Sequence, residues 1–207
     1  MDLAAKLAEG VAELGLELPP RTEPRLLDYL ALLHKWNRTY NLTAVREPSK
    51  MVGQHLLDCL AVVPHVTART IADVGSGAGL PGVPLALALP QASVTLLESS
   101  HKKAAFLQQA KIELKLDNVT VTCERVESSQ PGGTFDMVIS RAFSDLAQFI
   151  TLAGRHVAPG GRLAAMKGIY PHEEVTQLPA GWRVLESIAL TVPGLRAQRH
   201  LLLIGRD

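Results

Sequence analysis

Residues 71–82 read Ile-Ala-Asp-Val-Gly-Ser-Gly-Ala-Gly-Leu-Pro-Gly, a short apolar run that ends at an acid and breaks into Gly75, Gly77, Gly79 and Gly82. The segment Pro84-Leu-Ala-Leu-Ala-Leu89 that follows reads as a helix. A strand, a glycine turn and a helix start in that order let a nucleotide approach bare backbone. Two cofactor chemistries compete for such a loop. The string Gly77-x-Gly79-x-x-Gly82 matches a dinucleotide fingerprint, which taken alone is a weak signal. S-adenosylmethionine has no phosphate; it asks instead for close backbone approach, an acceptor near its ammonium group and a carboxylate for its ribose hydroxyls. Asp73 stands two residues before the first glycine, where it can order the loop. Glu98 closes the next apolar run, Ser93-Val-Thr-Leu-Leu, where an acid on the second strand serves either cofactor.

The rest of the chain falls into two parts, an N-terminal helical cap over residues 1–66 and a nucleotide-binding unit over residues 67–207. In the first, Leu3, Leu7, Val11 and Leu14 repeat at helical spacing before Gly15. Thr22-Glu23-Pro24 predicts a second helix start, with the threonine as N-cap, running to about Tyr40. Pro48 opens a third helix that ends near Pro64. From residue 70 strands alternate with helices: Thr70–Val74, Val94–Glu98, Val119–Cys123, Phe135–Ser140 and Arg162–Lys167, with helices over His101–Leu116 and Asp145–Val157. That alternation predicts a parallel sheet covered on both faces. Trp182–Leu190 and Gln198–Ile204 are too close in sequence for a helical crossover, so they predict a terminal antiparallel hairpin. The fold class is therefore α/β, a mostly parallel seven-stranded sheet of Rossmann-like, class I methyltransferase type.

Composition removes several function classes. No apolar run approaches the roughly 20 residues of a membrane span, and Asp2, Lys6 and Glu9 interrupt any signal-peptide core. Cys59 and Cys123 lack metal-ligand spacing, which predicts free thiols in a reducing, cytoplasmic setting. No metal site is expected. With 21 basic against 20 acidic residues the net charge is +1, so any grip on nucleic acid has to come from a local cluster.

Six motifs in order carry a family resemblance: His34-Lys-Trp-Asn-Arg-Thr-Tyr-Asn-Leu-Thr43, His55-Leu-Leu-Asp58, the glycine loop from Asp73 to Gly82, Ile139-Ser-Arg-Ala142, Lys167-Gly168 and Arg199-His200-Leu201. From about Leu33 to Ile204 the chain resembles the bacterial small-subunit rRNA guanine-N7 methyltransferases, also called glucose-inhibited division protein B. The resemblance implies S-adenosylmethionine as donor, S-adenosylhomocysteine as product, and a guanine of a 16S rRNA stem-loop near the decoding site as acceptor. It departs at Gly205-Arg206, where a lysine is common, which touches only a peripheral RNA contact.

Carried over position by position, cofactor contacts fall on Gly75 and Leu80, on Val126 and Glu127 after the third strand, and on Arg141 after the fourth. Asp73, Gly77, Gly79 and Glu98 join them from the loop argument. Leu80 fits packing as well as contact, and Glu127 fits a solvated helix acid. Guanine N7 carries an exposed lone pair, so the transfer needs no general base; positioning candidates are Asn41, His55, Arg141, Lys167 and Arg199. Arg141 suits the methionine carboxylate or an RNA phosphate. A lone His55 equally suits a structural hydrogen bond. Arg46, Arg125, Lys167 and Arg199 are assigned to an RNA-binding patch, and Tyr40 or Phe143 to stacking on an extruded purine or to the core. The expected partner is 16S rRNA, free or in a small-subunit particle, and the expected state a monomer with no membrane contact. Rival readings are an NAD-dependent oxidoreductase, a small-molecule methyltransferase, and a non-catalytic adenosylmethionine-binding regulator.

Overall fold

The computed structural model describes residues 2–129, 133–141, 143 and 145–207. Ala142, the last residue of one family motif, lies outside them. Seven strands form one sheet: β1 (Thr70–Val74), β2 (Ser93–Leu97), β3 (Val119–Thr122), β4 (Phe135–Ser140), β5 (Val157–Lys167), β6 (Trp182–Ala189) and β7 (His200–Arg206). Their order is β3-β2-β1-β4-β5-β7-β6. β1 to β5 run parallel, while β7 lies antiparallel between β5 and β6. The expected terminal hairpin is thus present. β1 is buried over four of its five residues, as a parallel strand covered on both faces should be.

Strand alternation sorts those residues between two layers. Ile71 joins a cluster with Leu85, Leu96 and Phe106 and with Leu7, Leu26, Leu33 and Leu56 from the N-terminal helices. Ala72 and Val74 join the opposite cluster with Phe149 and Ile150. The first layer holds α1 (Leu3–Glu13), α2 (Thr22–Tyr40), α5 (Gly82–Ala88) and α6 (His101–Glu113); the second holds α7 (Leu146–Ala153). The N-terminal helices therefore complete one hydrophobic face of the sheet.

Two local expectations are corrected, and one helix is additional. Thr22 does not cap α2: Arg21 occupies that position in a left-handed conformation, and the Thr22 hydroxyl donates to the Leu87 carbonyl at 3.2 Å. A buried long-range acceptor has displaced the local one. The third helix is not uniform: α3 (Pro48–Met51) passes into a π-helical turn, Val52–Leu57, and then α4 (Asp58–Leu60). π-turns of this kind cluster at functional sites, because they rotate side chains out of α register. The additional helix is α8 (His172–Thr176), a short one after β5.

Candidate active site

The glycine loop is stitched down from below. Gly75 and Ser76 donate to the Leu97 carbonyl at the end of β2. Gly75, Gly77 and Gly79 all have positive φ, the region that side chains with a Cβ avoid. A Cβ built on Gly77 would meet nothing nearer than the Gly75 carbonyl at 3.7 Å, so bare backbone faces open space there. Gly79 differs: its Cβ would strike Val83 at 2.7 Å and Leu107 at 3.0 Å, so this glycine serves core packing. Leu80 is likewise buried, at 4% exposure.

Asp73 lies fully buried beneath the loop and accepts the Gly82 N–H at 2.9 Å through Oδ2. Its Oδ1 has no hydrogen-bond partner. Burial pushes this carboxyl up to about 7, the Gly82 N–H holding it back in part. Asp73 thus shapes the loop from beneath. The start of α5 is also used up: Gly82 donates to Asp73, Val83 to the Gly79 carbonyl, and Pro84 has no N–H. No donor of that first turn is left for a pyrophosphate, which argues against a dinucleotide.

The cap reaches the same loop. Tyr29 of α2 is fully buried, and its hydroxyl donates to the Ala78 carbonyl. Burial raises this phenol well above its ordinary value, so it stays a donor. Sequence reasoning missed Tyr29, since a tyrosine on an amphipathic stripe signals only core.

Glu98 is 6% exposed and accepts the Gly77 N–H and the Ser100 N–H, both at 2.8 Å. Each carboxylate oxygen keeps a second lone pair for a ribose hydroxyl. Beside it opens a cleft of about 210 Å³, lined by Val74, Gly75, Leu97, Val126, Glu127 and Phe143 among others. Its apolar walls suit a flat purine, while the glycine backbone and Glu98 suit an amino-acid–ribose conjugate. These residues fit S-adenosylmethionine. Glu98→Gln is expected to weaken donor binding by about 1–2 kcal/mol, because a charge-assisted acceptor becomes neutral and one backbone N–H loses its oxygen. Affinity for RNA should stay nearly constant. Calorimetry with the donor checks this, and an unchanged affinity removes Glu98 from the ribose.

A second cavity, about 320 Å³, adjoins the carboxyl ends of β4 and β5 and is lined by Gln54, His55, Asp58, Arg141, Met166, Lys167, Gly168 and Arg199. Four of the five positioning candidates, Asn41 excepted, line it. Asp58 organises the wall: it accepts Arg199 Nε at 2.8 Å and Arg141 Nη1 at 3.3 Å, and its side chain is 3% exposed. The arginine Arg141 also donates to the Gln54 carbonyl on the π-turn. Lys167 pairs with Glu174 of α8 at 2.7 Å and donates to the Phe143 carbonyl, tying this cavity to the purine cleft. Asp58 belongs to a motif, but nothing local marks it as a site residue, because its partners lie 83 and 141 residues away.

His55 is 4% exposed. Its Nε2 meets Thr43 Oγ1 at 2.9 Å, and its Nδ1 lies 3.0 Å from the Gln54 carbonyl, which can only accept, so Nδ1 bears the proton. Burial, then the neighbouring Arg141 charge, pushes the imidazole below its ordinary value, leaving it neutral near pH 7. Both nitrogens are engaged, so His55 is placed to hold the wall.

The proposed basic patch does not gather in one place. Lys167 and Arg199 share the cavity with Arg141, whereas Arg125 sits on the rim of the purine cleft, 75% exposed and 3.5 Å from Glu127. Arg46 and Asn41 line neither. The Arg46 guanidinium donates to the Asn37 carbonyl and to Asn41 Oδ1 at 2.7 Å, closing the C-terminus of α2. Tyr40 is 42% exposed and packs on Trp36 at 5.2 Å between ring centroids; Phe143 stacks on Phe149 at 5.0 Å.

Among the described residues no His/Cys/Asp/Glu cluster could hold a metal ion, and no helix is long and apolar enough to cross a membrane. The fold resembles the O-methyltransferase TomG from Streptomyces achromogenes, solved in complex with SAM, with a TM-score of 0.61 at 17% identity over 100% of this chain and 99% of that one. It also resembles the glycopeptide N-methyltransferase MtfA, at TM-score 0.61 and 16% identity, covering 75% of this chain and 96% of that one. Relatives called ribosomal RNA small subunit methyltransferase G are far closer in sequence. The protein from Nitrosospira multiformis is 57% identical over 100% of this chain and 99% of its own length, and that from Aromatoleum aromaticum 56% identical over 99% of each. A family model, rRNA small subunit methyltransferase G, matches residues 22–202. The chain belongs to the rRNA small subunit methyltransferase G family.

Proposed function

We propose that this enzyme transfers the methyl group of S-adenosylmethionine to N7 of a guanine in 16S rRNA, within a small-subunit particle. The observation that carries the reading is the pairing of two cavities on the ligand edge. One is an apolar cleft at the glycine loop; the other is a cationic chamber next to it whose histidine is locked in internal hydrogen bonds. When bound, S-adenosylmethionine supplies an electrophilic sulfonium methyl. Gly75, Gly77 and Glu98 hold the donor's amino-acid and ribose portions, and Val126 and Phe143 enclose its purine. Arg141, Lys167 and Arg199 are positioned to receive the donor carboxylate and the phosphates flanking the guanine. Asp58 and Glu174 fix the directions of those cations.

N7 is unprotonated near neutral pH, so no proton has to be removed and none of these residues needs to act as a base. Catalysis then rests on alignment, which can supply several of the ~7–11 kcal/mol that positioning offers. A substrate of bacterial ribosomal RNA places the enzyme in the cytoplasm, and we assign it a monomeric state. The division into a cap (1–66) and a methyltransferase unit (67–207) suits the same reading, because cap residues His55 and Asp58 wall the chamber while the unit supplies the donor cleft. Transfer of label from methyl-labelled donor to small-subunit particles tests the proposal; label reaching no RNA would count against it.

A further inference from the structure

The loop after β5 presents an apolar tip at the mouth of the cationic chamber. Ile169 is 76% exposed, more than any other large hydrophobic residue among those described. Its neighbour Gly168 lines the chamber, and a Cβ built there would lie 4.0 Å from Arg199 Nη1. The tip is braced on both sides. The Gly168 carbonyl meets His200 Nδ1 at 2.7 Å, and the Tyr170 ring packs edge-on against His172 at 4.6 Å and His200 at 5.8 Å. Lone exposed aliphatics are ordinary; one held on a braced tip beside the acceptor chamber is a different matter.

The target chemistry says what such a tip can do. N7 lies on the edge of guanine that faces the major groove, and in A-form RNA that groove is deep and too narrow for side chains. A guanine stacked within its stem-loop reaches the chamber only by leaving that stack, and an apolar side chain wedged at the base step can fill the slot it vacates. We propose that Ile169 is a wedge that enters the RNA stack in place of the extruded guanine. The inference rests on the function proposed above. It makes Ile169 a positioning residue whose contact is the base step flanking the target, while Arg199 and Lys167 alongside receive phosphates.

The test uses small-subunit particles lacking the modification and methyl-labelled donor. Ile169→Ala should lower kcat/KM toward particles by about tenfold, since the slot goes unfilled. Donor affinity, the thermal midpoint and the salt dependence of particle binding should stay at parental values, because the side chain is exposed, uncharged and not among the residues that line the donor cleft. Ile169→Met, which restores apolar reach, should recover activity to within about threefold. Parental turnover in Ile169→Ala would overturn the wedge alone, as would an Ile169→Met enzyme as slow as the alanine variant. Absence of transfer by the parent enzyme would instead overturn the function reading on which the wedge depends.

Discussion

Replacing Asp58 by alanine is expected to cost about 2–3 kcal/mol of stability and to slow methyl transfer by about a hundredfold. The carboxylate is 3% exposed and is the shared acceptor of Arg141 and Arg199. Removing one partner of a buried ion pair leaves charge uncompensated, which is why the loss exceeds that of a surface bridge. Here two guanidinium groups would face one chamber with no anion between them. Both would swing toward solvent, and the phosphate- and carboxylate-binding directions would go with them. Asp58→Asn keeps the shape and one acceptor oxygen, so it should fall between alanine and parent. Urea unfolding and single-turnover transfer on particles measure the two effects. Parental transfer in Asp58→Ala would show that the arginines hold their places without it.

Gly82→Ala carries the second large expectation, and two effects oppose each other in it. Gly82 opens α5, and alanine is the better helix former by about 1 kcal/mol. Yet the added Cβ would lie 2.2 Å from Leu96 Cδ2, 2.7 Å from Asp73 Oδ2 and 3.0 Å from Asp73 Cβ. Neither neighbour can yield, since both are fully buried. Overpacking of this kind costs about 1–3 kcal/mol or more, so the contact wins. The displaced Asp73 would also lose its grip on the loop, and donor affinity should fall at least tenfold. Gly53→Ala is the control, because its Cβ would meet only the Pro193 carbonyl at 3.9 Å. A Gly82→Ala protein as stable as its parent would mean that α5 shifts freely, and the loop would not be fixed by Asp73.

Much of this was legible in the chain because it is written in local pattern. The strands of the sheet, the glycine loop and the position of Glu98 follow from apolar runs and the residues that end them, except that β5 already starts at Val157, where the pattern predicts the end of a helix and a strand only from Arg162. The terminal hairpin follows from connection length alone. What escaped depends on contacts that the local apolar pattern does not show. Thr22 looks like an N-cap until the Leu87 carbonyl, 65 residues on, takes its hydroxyl. Arg46 looks like a free phosphate ligand until the end of α2 and Asn41 claim its guanidinium. The π-turn that carries Gln54 and His55 has the same apolar spacing as an α-helix over six residues, so its rotated register cannot be read from periodicity. Asp58 and Tyr29 hide for the same reason: each is an ordinary helix residue whose partner lies on a distant element.

The most direct test of the central claim is the fate of a labelled methyl group. Small-subunit particles from cells lacking this enzyme would be incubated with methyl-labelled S-adenosylmethionine, and the 16S rRNA would be digested and its nucleosides identified. The account predicts one labelled 7-methylguanosine per particle, formed by the parent enzyme and nearly lost in Asp58→Ala. Label on another atom or base, or label appearing only in small molecules, would contradict it.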